Sequence, residues 1–192
     1  MTGAAGTGGL DDDVAEVLIS ADEIQHKIST LAKQITEDYR GKDLLLVGVL
    51  KGAFVFMSDL AREIPLLLAF DFMAVSSYGS ATKSSGVVRI LKDLDYEITD
   101  RHVLLVEDII DSGLTISYLL RYLEARQPAS LEICSLFWKK GEQAVPLDVR
   151  YPGFEIPPVF VVSYGLDYAE KYRNLPYIGV LKPAAYGADS PG

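Results

Sequence analysis

Cysteine occurs once in these 192 residues, tryptophan once and histidine twice. A single thiol cannot close an internal disulfide. Cys134 lies in an apolar run with Leu131, Ile133, Leu136 and Phe137, where a thiol packs as a small inert hydrophobe. His26 falls in a helical pattern and His102 at a strand start, far apart and without cysteine or carboxylate neighbours at metal spacing, so no zinc site is expected. Positive charge is also short: 18 Lys and Arg face 27 Asp and Glu, and the net charge of -9 argues against general nucleic-acid binding. Long hydrophobic runs are missing as well. Stretches such as Leu44–Leu50 meet a glycine or a charge well before the roughly 20 apolar residues that a bilayer span needs. Residues 1–13 are Gly/Ala-rich and then acidic, with neither the basic nor the apolar segment of a secretory signal. These absences lead to the expectation of a cytoplasmic protein in a reducing compartment, bound neither to membrane nor to nucleic acid.

What is there fills one core. A hydrophobic content of 49% in 192 residues suits one compact domain, expected over residues 17–183 with tails at 1–16 and 184–192. Ser20-x-x-Glu23 is a capping box, and Ile24, Ile28, Leu31 and Ile35 recur at helical spacing up to a stop at Gly41. Leu44–Leu50 reads as a strand, followed by Lys51-Gly52 and a helical pattern through Phe56, Leu60 and Ile64. Strands are expected at 67–75, 87–91, 102–106, 131–138 and 159–162, with a helix carrying Ile116, Leu119, Leu120 and Leu123. Residues 76–86, rich in Ser, Gly, Thr and Lys, read as a mobile loop. Strands alternating with helices predict an α/β fold: a parallel sheet flanked by helices, with the N-terminal and 140–183 segments forming a small hood.

One segment carries most of the chemistry. After the apolar strand come Glu107 and Asp108, then Asp111, Ser112, Gly113, Leu114 and Thr115, at the opening of a helix. Ligands of open α/β sheets sit at the carboxyl ends of strands. The 111–115 stretch would offer backbone N–H groups, hydroxyls and the positive end of a helix to a phosphate, while Glu107 and Asp108 could accept hydrogen bonds from a vicinal diol. A phosphate cradle beside a diol acceptor describes a site for a ribose 5-phosphate. Neither G-x-x-x-x-G-K-[ST] nor a G-x-G-x-x-G after a strand occurs, so the ATPase-loop and dinucleotide readings lose their support.

This segment resembles the phosphoribosyl-pyrophosphate motif of the type I phosphoribosyltransferases. With four further segments, the chain from residue 19 to about 182 resembles the hypoxanthine-guanine phosphoribosyltransferases. The resemblance implies that Leu50, Lys51 and Gly52 form the pyrophosphate loop, with an unusual cis peptide before the lysine, and that Arg173 also holds pyrophosphate. It implies that Ser77 and Tyr78, leading into Gly79, open a flexible catalytic loop. Lys139 would read the exocyclic oxygen of a 6-oxopurine; Lys140 is adjacent, but Lys139 keeps the spacing to the downstream Phe. An ammonium group only donates, so it suits a 6-oxo group and not a 6-amino group. Phe160 would stack on the purine, Val161 would offer backbone groups to it, and Asp167 would help to hold magnesium. Asp111 would be the general acid/base at N7 of the base, Glu107 and Asp108 would hold the ribose hydroxyls with magnesium nearby, and residues 111–115 the 5-phosphate. Mg2+ is the one cofactor implied, and a homodimer or homotetramer is expected. Two alternatives remain open at this point: a xanthine-preferring enzyme on the same motif, and an RNA-binding regulator that senses phosphoribosyl pyrophosphate.

Overall fold

The computed structural model describes residues 9–78, 87–139 and 141–186. In chain order its elements are β1 (Val14–Ile19), α1 (Ala21–Asp38), β2 (Leu44–Leu50), α2 (Ala53–Glu63), β3 (Leu68–Tyr78), β4 (Val87–Lys92), β5 (His102–Ile110), α3 (Leu114–Glu124), β6 (Ser130–Lys139), β7 (Tyr151–Ile156) and β8 (Ile178–Leu181), with 3-10 turns at Leu10–Asp13 and Pro183–Tyr186. No helix is long and apolar enough to cross a membrane among these residues. The main sheet has the order β4-β3-β2-β5-β6-β7 and is parallel except for β4; β1 and β8 form a separate antiparallel pair.

The apolar runs explain the layering. A strand turns alternate side chains to opposite faces. Leu44, Leu46, Leu104, Val106, Cys134 and Leu136 therefore face α1 and α2, whereas Leu45, Val47, Val103, Leu105 and Ile133 face α3. Strands covered on both sides need apolar residues at consecutive positions, which is why these runs do not alternate with polar residues. Ser20 caps α1 as its sequence predicts: Glu23 N donates to Ser20 Oγ and Ser20 N donates to Glu23 Oε2. The helix gives way to Gly41, whose φ of +76° suits a residue without a Cβ.

The structure departs from the sequence reading in five places. Residues 10–16 do not form a tail: β1 pairs with β8, Tyr172 donates to Asp13 Oδ2 at 2.7 Å, and Tyr177 donates to Asp11. Acidic residues assigned to a tail are instead acceptors for two phenols, that of buried Tyr172 and that of half-buried Tyr177. Residues 184–186 are not tail either, since they lie in the second 3-10 turn. Part of the segment assigned to the hood, β7, belongs to the main sheet, where Pro152 is tolerated because an edge strand has no second neighbour to receive its missing N–H. A Cβ on Gly153 would stand 2.2 Å from the Leu136 carbonyl oxygen, so this edge needs glycine to approach β6. Finally, β3 continues to Tyr78 where a loop was expected from residue 76. Conversely, 159–162 makes only an isolated bridge, Val162 to Gly179, after the Pro157-Pro158 pair. The rest of the expected loop, 79–86, lies outside the described residues, as does Lys140.

Strand register places the candidate site. Gly48 lies beside Val106 in the β2–β5 pair, so the 50–52 turn meets the end of β5 near Asp108. Ile110 lies beside Trp138 in the β5–β6 pair, which brings Lys139 next to Asp111.

Candidate active site

The turn between β5 and α3 surrounds a cavity of about 190 Å3 lined by Glu107, Asp111, Ser112, Gly113, Thr115 and Val49, among others. Gly113 reaches the helix through a left-handed φ of +77°, and a Cβ on it would come within 2.8 Å of Leu147. Leu114 N approaches Ser112 Oγ at 3.5 Å. The first turn of α3 carries no acidic side chain, so no residue within the helix offsets the partial positive charge of the end that adjoins the cavity. Hydroxyls, backbone N–H groups and a helix end around a small cavity form a place for a phosphate.

A second loop closes on this one. The Leu50–Lys51 peptide is cis. Gly52 then lies directly against Asp108, where a Cβ would stand 1.6 Å from Asp108 Oδ2. On the other side Gly165, at φ +96°, presses on the same loop, with room for no Cβ: it would be 2.2 Å from the Gly52 carbonyl oxygen. Gly165 leads into Asp167, and its carbonyl oxygen accepts from Arg173 Nη1 at 2.6 Å. Arg173 Nη2 also stands 2.8 Å from Asp167 Oδ1. Lys51, Asp108, Asp167 and Arg173, scattered over more than 120 positions of the sequence, are thus held in one cluster through two glycines.

The carboxyl pair at the end of β5 is electrostatically unusual. Burial, first, and the neighbouring Asp108, second, push Glu107 well above the ordinary range. Asp108 is pushed from 3.8 to about 6, chiefly by burial, against hydrogen bonding from Ile109 N and the charge of Arg173. A folded-state value above the unfolded one means that the folded chain keeps its proton to higher pH. Stability tied to Asp108 is therefore complete below about pH 4 and is lost as pH rises toward about 6. In metal-free buffer Asp108→Asn is expected to melt about 3–6 °C above the parent at pH 8 and close to it at pH 4; equal gaps at both pH values would remove burial as the cause.

At the end of β6, Lys139 Nζ lies 3.4 Å from Asp111 Oδ2. The Lys139 side chain is 15% exposed and that of Asp111 58%, so a fixed donor stands beside an accessible carboxylate. Gln143 donates to the Lys139 carbonyl oxygen at 2.5 Å and braces the end of β6. Phe160, 38% exposed, packs edge-on against Tyr168 and Tyr186 with ring centroids 6.0 Å away in each case. Val161 beside it is buried. Ser77 and Tyr78 end β3, opposite Val88 and Val87 of β4. The sequence reading missed Gly165, although a glycine two residues before a motif aspartate was the available signal; Tyr186, assigned to a tail, and Glu170, an acid in a charged loop, gave no signal.

Among the described residues no group of three His, Cys, Asp or Glu side chains forms a ready cage for a metal ion. Glu107, Asp108 and Asp167 therefore do not make a three-carboxylate site. Asp167 is engaged by Arg173 and by Glu170 N at 2.8 Å, and Glu107 is buried. Separate carboxylates of this kind fit magnesium, which keeps several waters and takes one or two carboxylates plus the phosphates of a substrate.

Comparison with known proteins agrees with this geometry. The phosphoribosyl transferase domain family matches residues 20–169. The chain is 56% identical over 180 residues to the hypoxanthine-guanine phosphoribosyltransferase of Mycobacterium avium, covering 91% of this chain and 89% of that one. It is 52% identical to the enzyme of the same name from Bacillus subtilis, covering 91% and 97%. The crystal structure of a Staphylococcus aureus hypoxanthine phosphoribosyltransferase superposes with a TM-score of 0.90 at 46% identity, over 94% of this chain and 98% of that one. With the family match spanning most of the sequence and the 107–115 cradle built as described, the chain belongs to the phosphoribosyl transferase family.

Proposed function

We infer that the chain transfers the 5-phosphoribosyl group of phosphoribosyl pyrophosphate to N9 of hypoxanthine or guanine, forming IMP or GMP and releasing pyrophosphate. The observation that carries this reading is the cavity of about 190 Å3 at the N-terminus of α3 with the Asp111–Lys139 pair at its side. Thr115, Ser112 and the backbone of 111–115 hold the 5-phosphate. Glu107 and Asp108 accept from the ribose hydroxyls. Lys51 and Arg173 bind the leaving pyrophosphate. Asp111 takes the N7 proton of the base, and Lys139 donates to the 6-oxo oxygen, with Phe160 against the purine face. Most of the rate then comes from positioning and from neutralising leaving-group charge. Magnesium, held by Asp167 with Glu107 and Asp108 near, supplies positive charge to the pyrophosphate when bound.

The reading extends to purine salvage and to assembly as a homodimer or homotetramer. Assembly is supported by Phe54 (57% exposed) and Phe70 (46%), which share an apolar groove between α2 and β3. The test uses one sample, sized first by sedimentation, where a monomer would remove the assembly reading. Purified protein is then mixed with phosphoribosyl pyrophosphate, magnesium and hypoxanthine, guanine, xanthine or adenine, and nucleotide is followed by chromatography. IMP and GMP are expected, and AMP at least a hundredfold more slowly, since a 6-amino group leaves the Lys139 donor unpaired. Xanthine as the preferred base would move specificity to that alternative. Binding of phosphoribosyl pyrophosphate without any product would replace the enzyme reading by the sensor.

A further inference from the structure

Lys51 and Arg173 are the two cations given to pyrophosphate, and in this structure one side chain touches both of them. Glu170 Oε2 stands 2.9 Å from Lys51 Nζ and 3.4 Å from Arg173 Nη2. A single carboxylate oxygen therefore bridges two groups that belong to different loops, Lys51 lying 119 residues before Glu170. The turn that presents it is built for that placement. Ala169, Glu170 and Tyr172 all have left-handed φ, at +50°, +62° and +73°, and Glu170 N donates to Asp167 Oδ2 at 2.8 Å. The Lys51 hydrogen bond, foremost, holds the Glu170 carboxyl below its ordinary range.

We propose that Glu170 is the resident counter-anion of the pyrophosphate site: its carboxylate bridges Lys51 and Arg173 until the pyrophosphate group of the substrate displaces it, and it returns as pyrophosphate leaves. This rests on the reading of Lys51 and Arg173 as pyrophosphate ligands. The energetics permit the exchange. Lys51 and Glu170 side chains are 66% and 64% exposed, and exposed ion pairs are weak. A multiply charged pyrophosphate outcompetes one carboxylate for the same two cations. The carboxylate in turn lowers the affinity of the site for the product, which favours its release. A structural ion pair would behave in the opposite way, because breaking it would loosen the 167–173 turn and weaken anion binding.

The sign of the effect is the test. Magnesium pyrophosphate is titrated calorimetrically onto the full chain, its Glu170→Gln variant and Glu124→Gln, which makes the same charge change at the far end of α3. Glu170→Gln is expected to bind pyrophosphate about three- to tenfold more tightly, with a matching fall in KM for phosphoribosyl pyrophosphate and none in KM for hypoxanthine. Glu124→Gln should stay at the parent value. Lys51→Ala and Arg173→Ala, measured alongside, separate the two ideas. If they weaken pyrophosphate binding while Glu170→Gln leaves it unchanged or weaker, the counter-anion role is overturned and the pyrophosphate site stands. If they have no effect, the pyrophosphate site falls and the counter-anion role with it. Melting midpoints of all variants check that the substitutions leave the fold intact.

Discussion

Replacing Gly165 by alanine is expected to lower kcat/KM about a hundredfold, a loss of the size that a misplacement of about 1 Å produces in a positioned active site. Two independent constraints act on this residue. Its φ of +96° is one that L side chains rarely adopt, and a Cβ would stand 2.2 Å from the carbonyl oxygen of Gly52. That oxygen is backbone, so the loop must move as a whole, carrying Lys51 away from Arg173 and releasing Asp108 from its seat against Gly52. The companion Gly52→Ala pushes on Asp108 directly and is expected to damage the same kinetic constants. Gly41→Ala separates strain from misplacement: φ is +76°, yet a Cβ there meets nothing within 4 Å, and the residue follows α1. It should cost about 1 kcal/mol of stability with steady-state kinetics intact. A Gly165→Ala protein that keeps parental kcat/KM would show that the two loops are not held in register by this contact.

Asp111→Asn is the second large effect, and its expected signature is in kcat. General acid/base groups contribute about 10²- to 10⁴-fold, and asparagine keeps the size of the side chain while removing its capacity to take a proton. Asp111 lines the cavity at the start of α3, and its carboxylate stands 3.4 Å from Lys139 Nζ. The loss should therefore fall on kcat at saturating substrates, at least tenfold, with pyrophosphate affinity close to the parent value. Single-turnover measurements isolate the transfer step from product release. Turnover of the variant within threefold of the parent would assign proton transfer to another group.

The parts of the fold that could be read from sequence are those whose signal is local. β2 and β5 announce themselves because a strand covered on both faces needs unbroken apolar runs, and α1 because its cap and its spacing sit within one stretch. β1, β7 and β8 exist only through their partners. Val14–Ile19 buries only Ile19 and is held by four residues of β8 far along the chain; Tyr151–Ile156 hides a strand behind Pro152 and Gly153. The site divides in the same way. Glu107 to Thr115 is contiguous, so its chemistry shows in one dimension. The bridge between Lys51, Glu170 and Arg173 depends on a turn with three left-handed residues none of which is glycine, and propensity does not foresee that. Asp71 is a further case: flanked in sequence by Phe70 and Phe72 and itself buried, it accepts from Asp95 N at 2.8 Å and Tyr96 N at 3.2 Å and so pins the segment after β4. A lone charge within an apolar strand was the visible sign, but its partners were not.

The pairing of β1 with β8 sets an order of events on the ribosome. Val14 leaves the tunnel long before its partner Leu181 has been made, so during synthesis the first strand has no edge to join. The strands of the doubly covered sheet emerge earlier and can pack with their helices while β1 waits. Tyr172 finds Asp13, and Arg173 next to it reaches its place, only after nearly the whole chain is out. A nascent chain can thus hold a folded sheet and the 107–115 turn while still lacking Arg173, and the cluster that Gly165 seats against Gly52 is complete only once the 165–173 loop has emerged.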